Sequence, residues 1–169
     1  VCIALIEDAR PVLGVIYVPV TGEIYSAAKG GQTQKELYKN GAFIPQILAV
    51  NERAPQTIIS GKRGKNVSAG KLATALNFDI ARLSSAIKYC RIAENLAGAY
   101  MRYSPSSIWD NAAGEMIAAG AGAKMIDLAT LKEPIYYAAS LKNNEFIVIA
   151  KDFLDREDEI LRAIKQINL

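Results

Sequence analysis

Short apolar runs separated by turn-forming residues occupy the first 28 positions. Residues 1–6 are apolar and rich in β-formers, Glu7-Asp8-Ala9-Arg10-Pro11 interrupts them, and residues 12–18 resume the run, which predicts a β-hairpin. Residues 19–22 read as a second turn, and residues 23–28 alternate polar and apolar as a third strand. Residues 29–40, with Gly30-Gly31 and several Gln and Lys, read as a solvated loop or hairpin tip, and residues 47–50 as a return to the sheet. Such strands are only a fragment of a sheet unless something covers one face.

The pattern changes from Gln56 onward, so a domain boundary is expected near residues 51–55. Residues 1–55 then read as the remnant of an antiparallel-sheet domain and residues 56–169 as an α/β domain. Strands are expected at 57–60, within 77–83, and at 97–103, 123–127 and 145–150. Helices are expected at 68–76, 84–95 and 110–120, with an amphipathic terminal helix at 154–167 presenting Leu161, Ile164 and Ile167. Residues 134–141 read as irregular. Short strands alternating with helices imply a mixed or parallel sheet with helices on both sides, an α/β layered fold following part of an antiparallel sheet.

At 169 residues the chain is long enough for one domain with a sizeable core, or for one domain and part of another. Its 51% hydrophobic and 22% charged content is that of a globular protein. A net charge of +3 without a block of like charges argues against a dedicated nucleic-acid binder and leaves room for a local basic pocket. There is no histidine, which removes Ser/His triads, histidine-zinc sites and a histidine base. No apolar run is long enough for a membrane helix. Cys2 and Cys90 lack metal-ligand spacing and read as reduced core residues of a cytoplasmic protein. The chain opens on Val1 directly in strand-like sequence, as if inside a structural element.

Any chemistry must therefore rest on carboxylates, hydroxyls, cations and bound metal. Ile108-Trp109-Asp110-Asn111-Ala112-Ala113-Gly114 puts a carboxylate where a loop turns into a helix of very small residues, whose N-terminal amides favour an anion. An Asp N-cap on a buried Ala-rich helix is the plainer reading. Gly61-Lys62-Arg63-Gly64-Lys65 is a basic glycine loop able to meet phosphate, or a solvated turn; it is not a P-loop. Ser84-Ser85-Ala86-Ile87-Lys88 places a lysine on the same helical face as a hydroxyl, or is simply a helix cap. Arg102 stands at a strand end across a Ser/Pro loop from Asp110, where a surface salt bridge would be the plain account.

In this order, Ser85-x-x-Lys88-Tyr-Cys-x-Ile-Ala-Glu, Ala99-Tyr-x-Arg102 and Trp109-Asp110-x-Ala-Ala-Gly resemble the C-terminal signature of the inositol monophosphatase-like superfamily, and within it the CysQ-type 3'(2'),5'-bisphosphate nucleotidases. Residues 3–6, 11–19 and 24–30 resemble that group's middle segment; the match is unusual around 31–46 and weaker beyond Leu128. The resemblance implies a sugar-phosphatase fold truncated at its N-terminus and a phosphomonoesterase whose water is activated between Mg²⁺ ions. It makes Asp110 a metal ligand beside the ester, and Ser85, Lys88 and Arg102 contacts to a nucleotide such as adenosine 3',5'-bisphosphate. Arg63 falls where these nucleotidases often carry a histidine. The partner implied is a small phosphorylated nucleotide, with no nucleic acid and no membrane span; the oligomeric state stays open. The family's Asp-Pro-(Ile/Leu)-Asp-Gly-Thr motif and an upstream metal-binding Glu have no counterpart here and would precede Val1, so the chain reads as the C-terminal piece of a larger enzyme, inactive by itself. An inositol monophosphatase-type enzyme, a metal-independent nucleotide-binding module and a non-catalytic adaptor using an exposed sheet edge are the alternatives.

Overall fold

The computed structural model describes residues 1–61 and 67–167, so Lys62, Arg63 and Lys65 of the basic glycine loop lie outside the described residues. The chain opens with an antiparallel meander of five strands: β1 (Cys2–Glu7), β2 (Arg10–Val18), β3 (Glu23–Ala28), β4 (Gln34–Lys39) and β5 (Ala42–Gln46). Two of its turns are two-residue loops with both central residues at positive φ, Asp8-Ala9 (48° and 59°) and Asn40-Gly41 (53° and 81°). This geometry matches the right-handed twist of the flanking strands. Much of the segment expected to be a loop at 29–40 is therefore strand. The expected return at 47–50 is displaced to Ala42–Gln46, because Asn40-Gly41 turns the chain back earlier. Strand β5 is exposed along its whole length, so no burial pattern marks it.

The remaining elements are β6 (Thr57–Ser60), α1 (Val67–Leu76), β7 (Asp79–Arg82), α2 (Ile87–Ala93), β8 (Ala99–Arg102), β9 (Ser106–Ser107), α3 (Ile108–Gly120), β10 (Lys124–Asp127), β11 (Lys142–Asn143), β12 (Phe146–Ile149), a 3-10 turn at Lys151–Arg156 and α4 (Glu157–Ile167). They build a mixed sheet in the order β10-β12-β8-β6-β7, with β6 parallel to β7 and β8, and β12 antiparallel to β8 and β10. Strands β8 and β12 are buried on both faces, as expected for a sheet covered on each side. Helix α2 is shorter than its sequence pattern because Ser85 sits at φ 69°, outside the helical region. The terminal helix begins as a 3-10 turn, and its fully buried positions are Phe153, Ile160, Ala163 and Ile164, with Leu161 and Ile167 only partly covered.

Helix α3 packs against the meander and the mixed sheet at once, and buried residues from both join one core. Its composition explains how. A β carbon on Gly14 of β2 would come within 2.7 Å of the Ala113 carbonyl oxygen, so bare backbone meets Ala-rich helix here. This close approach holds the start of α3 over the inner side of β1 and beside α2. No helix among the described residues is long and apolar enough to cross a membrane.

Candidate functional site

The cleft lies where α3 begins. Its N-cap is Ser107, in extended conformation and without a side-chain cap bond, while the Ile108 amide donates to the Leu141 carbonyl at 3.1 Å. Asp110 is thus inside the first helical turn and is not the N-cap, which overturns the plainer reading of this carboxylate. It is exposed, and among the described residues no hydrogen bond to its side chain is found. A carboxylate in the first turn is favoured by the helix dipole, so the local energetics tolerate an unpaired acid there.

Asp110 shares a cleft of about 180 Å³ with Ser85, Lys88 and Arg102, together with Cys2, Tyr100 and Asn111. Of the sequence candidates, the structure brings these four together; Arg63 lies outside the described residues. Lys88 is 4% exposed, on the buried side of α2. Its ammonium donates to the Ser85 carbonyl at 2.5 Å and stands 4.9 Å from the centre of the Tyr100 ring. Burial pushes the Lys88 pKa down to about 8; the Arg102 charge adds to the depression and Asp110 opposes it.

The Ser84-Ser85 pair does not cap α2. The cap residue is Ala86, with no side-chain cap bond, and Ser85 reaches Lys88 through its main-chain carbonyl instead. Arg102, at the end of β8, is half-buried and donates from Nε to the Ser104 carbonyl at 3.2 Å. It makes no ion pair with Asp110, so the expected surface bridge is absent between these two described residues. Two cations and one carboxylate thus face the same space without neutralising one another in a direct pair, an arrangement suited to a polyanion.

Cys2, Ala86, Tyr89, Tyr100 and Asn111 also line the cleft and were not sequence candidates for it. Tyr100 lies two positions before Arg102 in β8, so the period of a strand puts both on one face. Asn111 follows Asp110 in the helix. Cys2 is not the core residue its apolar surroundings suggested: only Cys90 is buried, and Cys2 is half-buried in the cleft wall. Burial raises the Cys2 thiol, the chain's terminal ammonium opposes that, and Asp110 reinforces it.

Metal-binding capacity is limited. Among the described residues no three Asp, Glu or Cys side chains come together where they could hold an ion. Asp110 alone would supply one oxygen ligand, whereas a hard divalent cation takes several. The described residues therefore do not form a metal centre.

The fold is an α/β layered one with a cleft at the start of α3, and comparison with known proteins specifies the class. Residues 1–160 match the inositol monophosphatase family, and the chain belongs to that family. It is 36% identical over 125 residues to the 3'(2'),5'-bisphosphate nucleotidase CysQ of Escherichia coli K12, covering 74% of this chain and 49% of that protein. With 3'(2'),5'-bisphosphate nucleotidase 1 of Candida albicans WO-1 it shares 28% identity, covering 98% of this chain and 56% of the relative. Among solved structures, CysQ from Bacteroides thetaiotaomicron superposes with a TM-score of 0.76 at 28% identity, over 89% of this chain and 62% of that one. The chain spans about half the length of the curated relatives it matches.

Proposed function

We propose that this protein is a Mg²⁺-dependent phosphomonoesterase of the bisphosphate nucleotidase type, hydrolysing adenosine 3',5'-bisphosphate to AMP and phosphate. The 169-residue chain supplies the phosphate-binding side of the cleft. The observation that carries this reading is the gathering of Asp110, Lys88, Arg102 and Ser85 around one cleft in a chain of this family. The relatives named as bisphosphate nucleotidases support the substrate class.

In this reading Arg102 takes phosphate oxygens with its planar guanidinium, and Lys88 adds a second positive charge from a desolvated position where each charge acts more strongly. Ser85 fixes the Lys88 ammonium through its carbonyl. Asp110, at the helix start, would supply one oxygen ligand to a divalent cation held mainly by groups outside the described residues. Because it is the single carboxylate lining the cleft among the described residues, the chain by itself is expected to release phosphate at background rate.

Calorimetric titration of the chain with adenosine 3',5'-bisphosphate in EDTA, with inositol 1-phosphate as comparator, tests the proposal. Binding of the bisphosphate in preference to the monophosphate, lost in Arg102→Ala, is the expected result. Equal affinity for the two would shift the reading to an inositol monophosphatase-type enzyme, and no binding would remove the cleft's assignment. A phosphate-release assay with millimolar Mg²⁺ checks the second part, where clear turnover by the chain alone would overturn it.

A further inference from the structure

Helix α3 begins without a side-chain cap, and the exposed Asp110 carboxylate takes no hydrogen bond from the described residues, so neither feature by itself holds the first turn in place. Beside the Ile108 amide bond to Leu141 and the packing on Gly14, the next residue adds a buried tether. Asn111 is 2% exposed, and its carboxamide uses both its donor and its acceptor capacity. Its Nδ2 donates to Ser106 Oγ at 2.6 Å and to Asn143 Oδ1 at 2.9 Å, and its Oδ1 accepts from the Tyr89 hydroxyl at 2.9 Å. Ser106 and Asn143 are directly paired across β9 and β11, the short ladder from which α3 emerges. Tyr89 lies in α2, immediately after Lys88. One buried amide thus joins the origin of α3 to the helix that carries the cleft's lysine.

We propose that Asn111 is a positioning residue: through Tyr89, Ser106 and Asn143 it fixes the first turn of α3 against α2, and so holds Asp110 in the same cleft as Lys88. A buried network of this kind is rigid when every member is satisfied and costly when one is removed, because the partners are left unpaired. Its functional meaning rests on Asp110 being the working acid of the cleft.

Amide hydrogen exchange on the ligand-free chain tests the inference. In Asn111→Ala, the amides of residues 112–114, which bond back to the first turn, should exchange at least about tenfold faster than in the wild type after correction for global stability, while those of Ile117 and Ala118 follow global stability alone. Tyr89→Phe removes one hydroxyl and keeps the ring, so it should loosen the same amides to a smaller extent, and it decides the matter if Asn111→Ala does not fold. Exchange that changes uniformly along α3, or not at all, in the variant that folds would overturn the proposal. Because no ligand or turnover is involved, that failure is separate from a failure of the nucleotidase reading, which titration with the bisphosphate decides.

Discussion

A β carbon on Gly114 would sit 2.2 Å from Cδ2 of Tyr89, inside the ring's van der Waals surface. The ring cannot swing away: Tyr89 is 1% exposed, stands edge-on to Tyr100 at 5.1 Å and is held through its hydroxyl by Asn111. Glycine at 114 is therefore what lets α3 and α2 approach closely enough to share a cleft. Gly114→Ala should destabilise the chain by about 1–3 kcal/mol through overpacking, although alanine is the better helix former. Urea denaturation would show the midpoint falling; an unchanged or higher midpoint would mean that the two helices are not in this contact.

Lys88 links the cleft to stability. With its folded-state pKa lowered to about 8 by burial, the unfolded chain binds the Lys88 proton more tightly than the folded one. Folding is thus penalised at low pH, and the penalty is relieved as pH rises through about 8 toward the ordinary lysine value. Buried tyrosines and Cys90, whose pKa values are raised, act in the opposite direction at higher pH, so the comparison must be made between variants. The stability of the wild type relative to Lys88→Met should rise between pH 8 and 9 by up to about 1.4 kcal/mol. A flat difference across that interval would show Lys88 to be well solvated.

Glu115 makes the acid-side counterpart. It is 4% exposed, bonded by Tyr136 and Arg10 from opposite sides, and its carboxyl is nevertheless pushed up to about 7 because burial outweighs those two partners. Here the folded state holds the proton more tightly, so this group's stabilising contribution is complete below the unfolded carboxyl pKa and is lost as pH rises from about 4.5 to about 7. Glu115→Gln, which keeps the shape and removes the titration, should flatten that part of the stability profile. A wild-type slope that survives the substitution would point to other carboxylates.

How much of this was legible in the sequence depended on whether the signal was local. Thr57–Ser60, Lys124–Asp127 and Phe146–Ile149 are strands of mainly buried residues bounded by changes of pattern, and each was expected within a few positions. Strands β4 and β5 carry no burial alternation, β5 being exposed throughout and β4 only partly covered, so their one local signal is the Asn40-Gly41 hairpin turn. At the cleft, Ser85, Lys88, Arg102 and Asp110 stand out by their place at helix starts and a strand end, the family resemblance implies their roles, and the fold brings them together. Asn111 was invisible as a member of a network because its partners Tyr89 and Asn143 lie 22 and 32 positions away. No helical or strand period links residues so far apart; only the tertiary fold does.

The sign of each charge in the cleft supplies the last prediction. Without metal, a bound inorganic phosphate would be attracted by Lys88 and Arg102 and repelled by Asp110, which lines the same 180 Å³ space. A charge-assisted hydrogen bond contributes about 1.5–3 kcal/mol, so Arg102→Ala and Lys88→Met should each weaken phosphate binding by roughly ten- to a hundredfold. Asp110→Asn should do the reverse in EDTA and strengthen it, because the repelling charge is gone and a donor amide takes its place. An acid that merely completes a helix away from the ligand would leave phosphate affinity unchanged on the same substitution. NMR titration with phosphate at low ionic strength separates the two outcomes, since screening at high salt would shrink the effect of an exposed carboxylate.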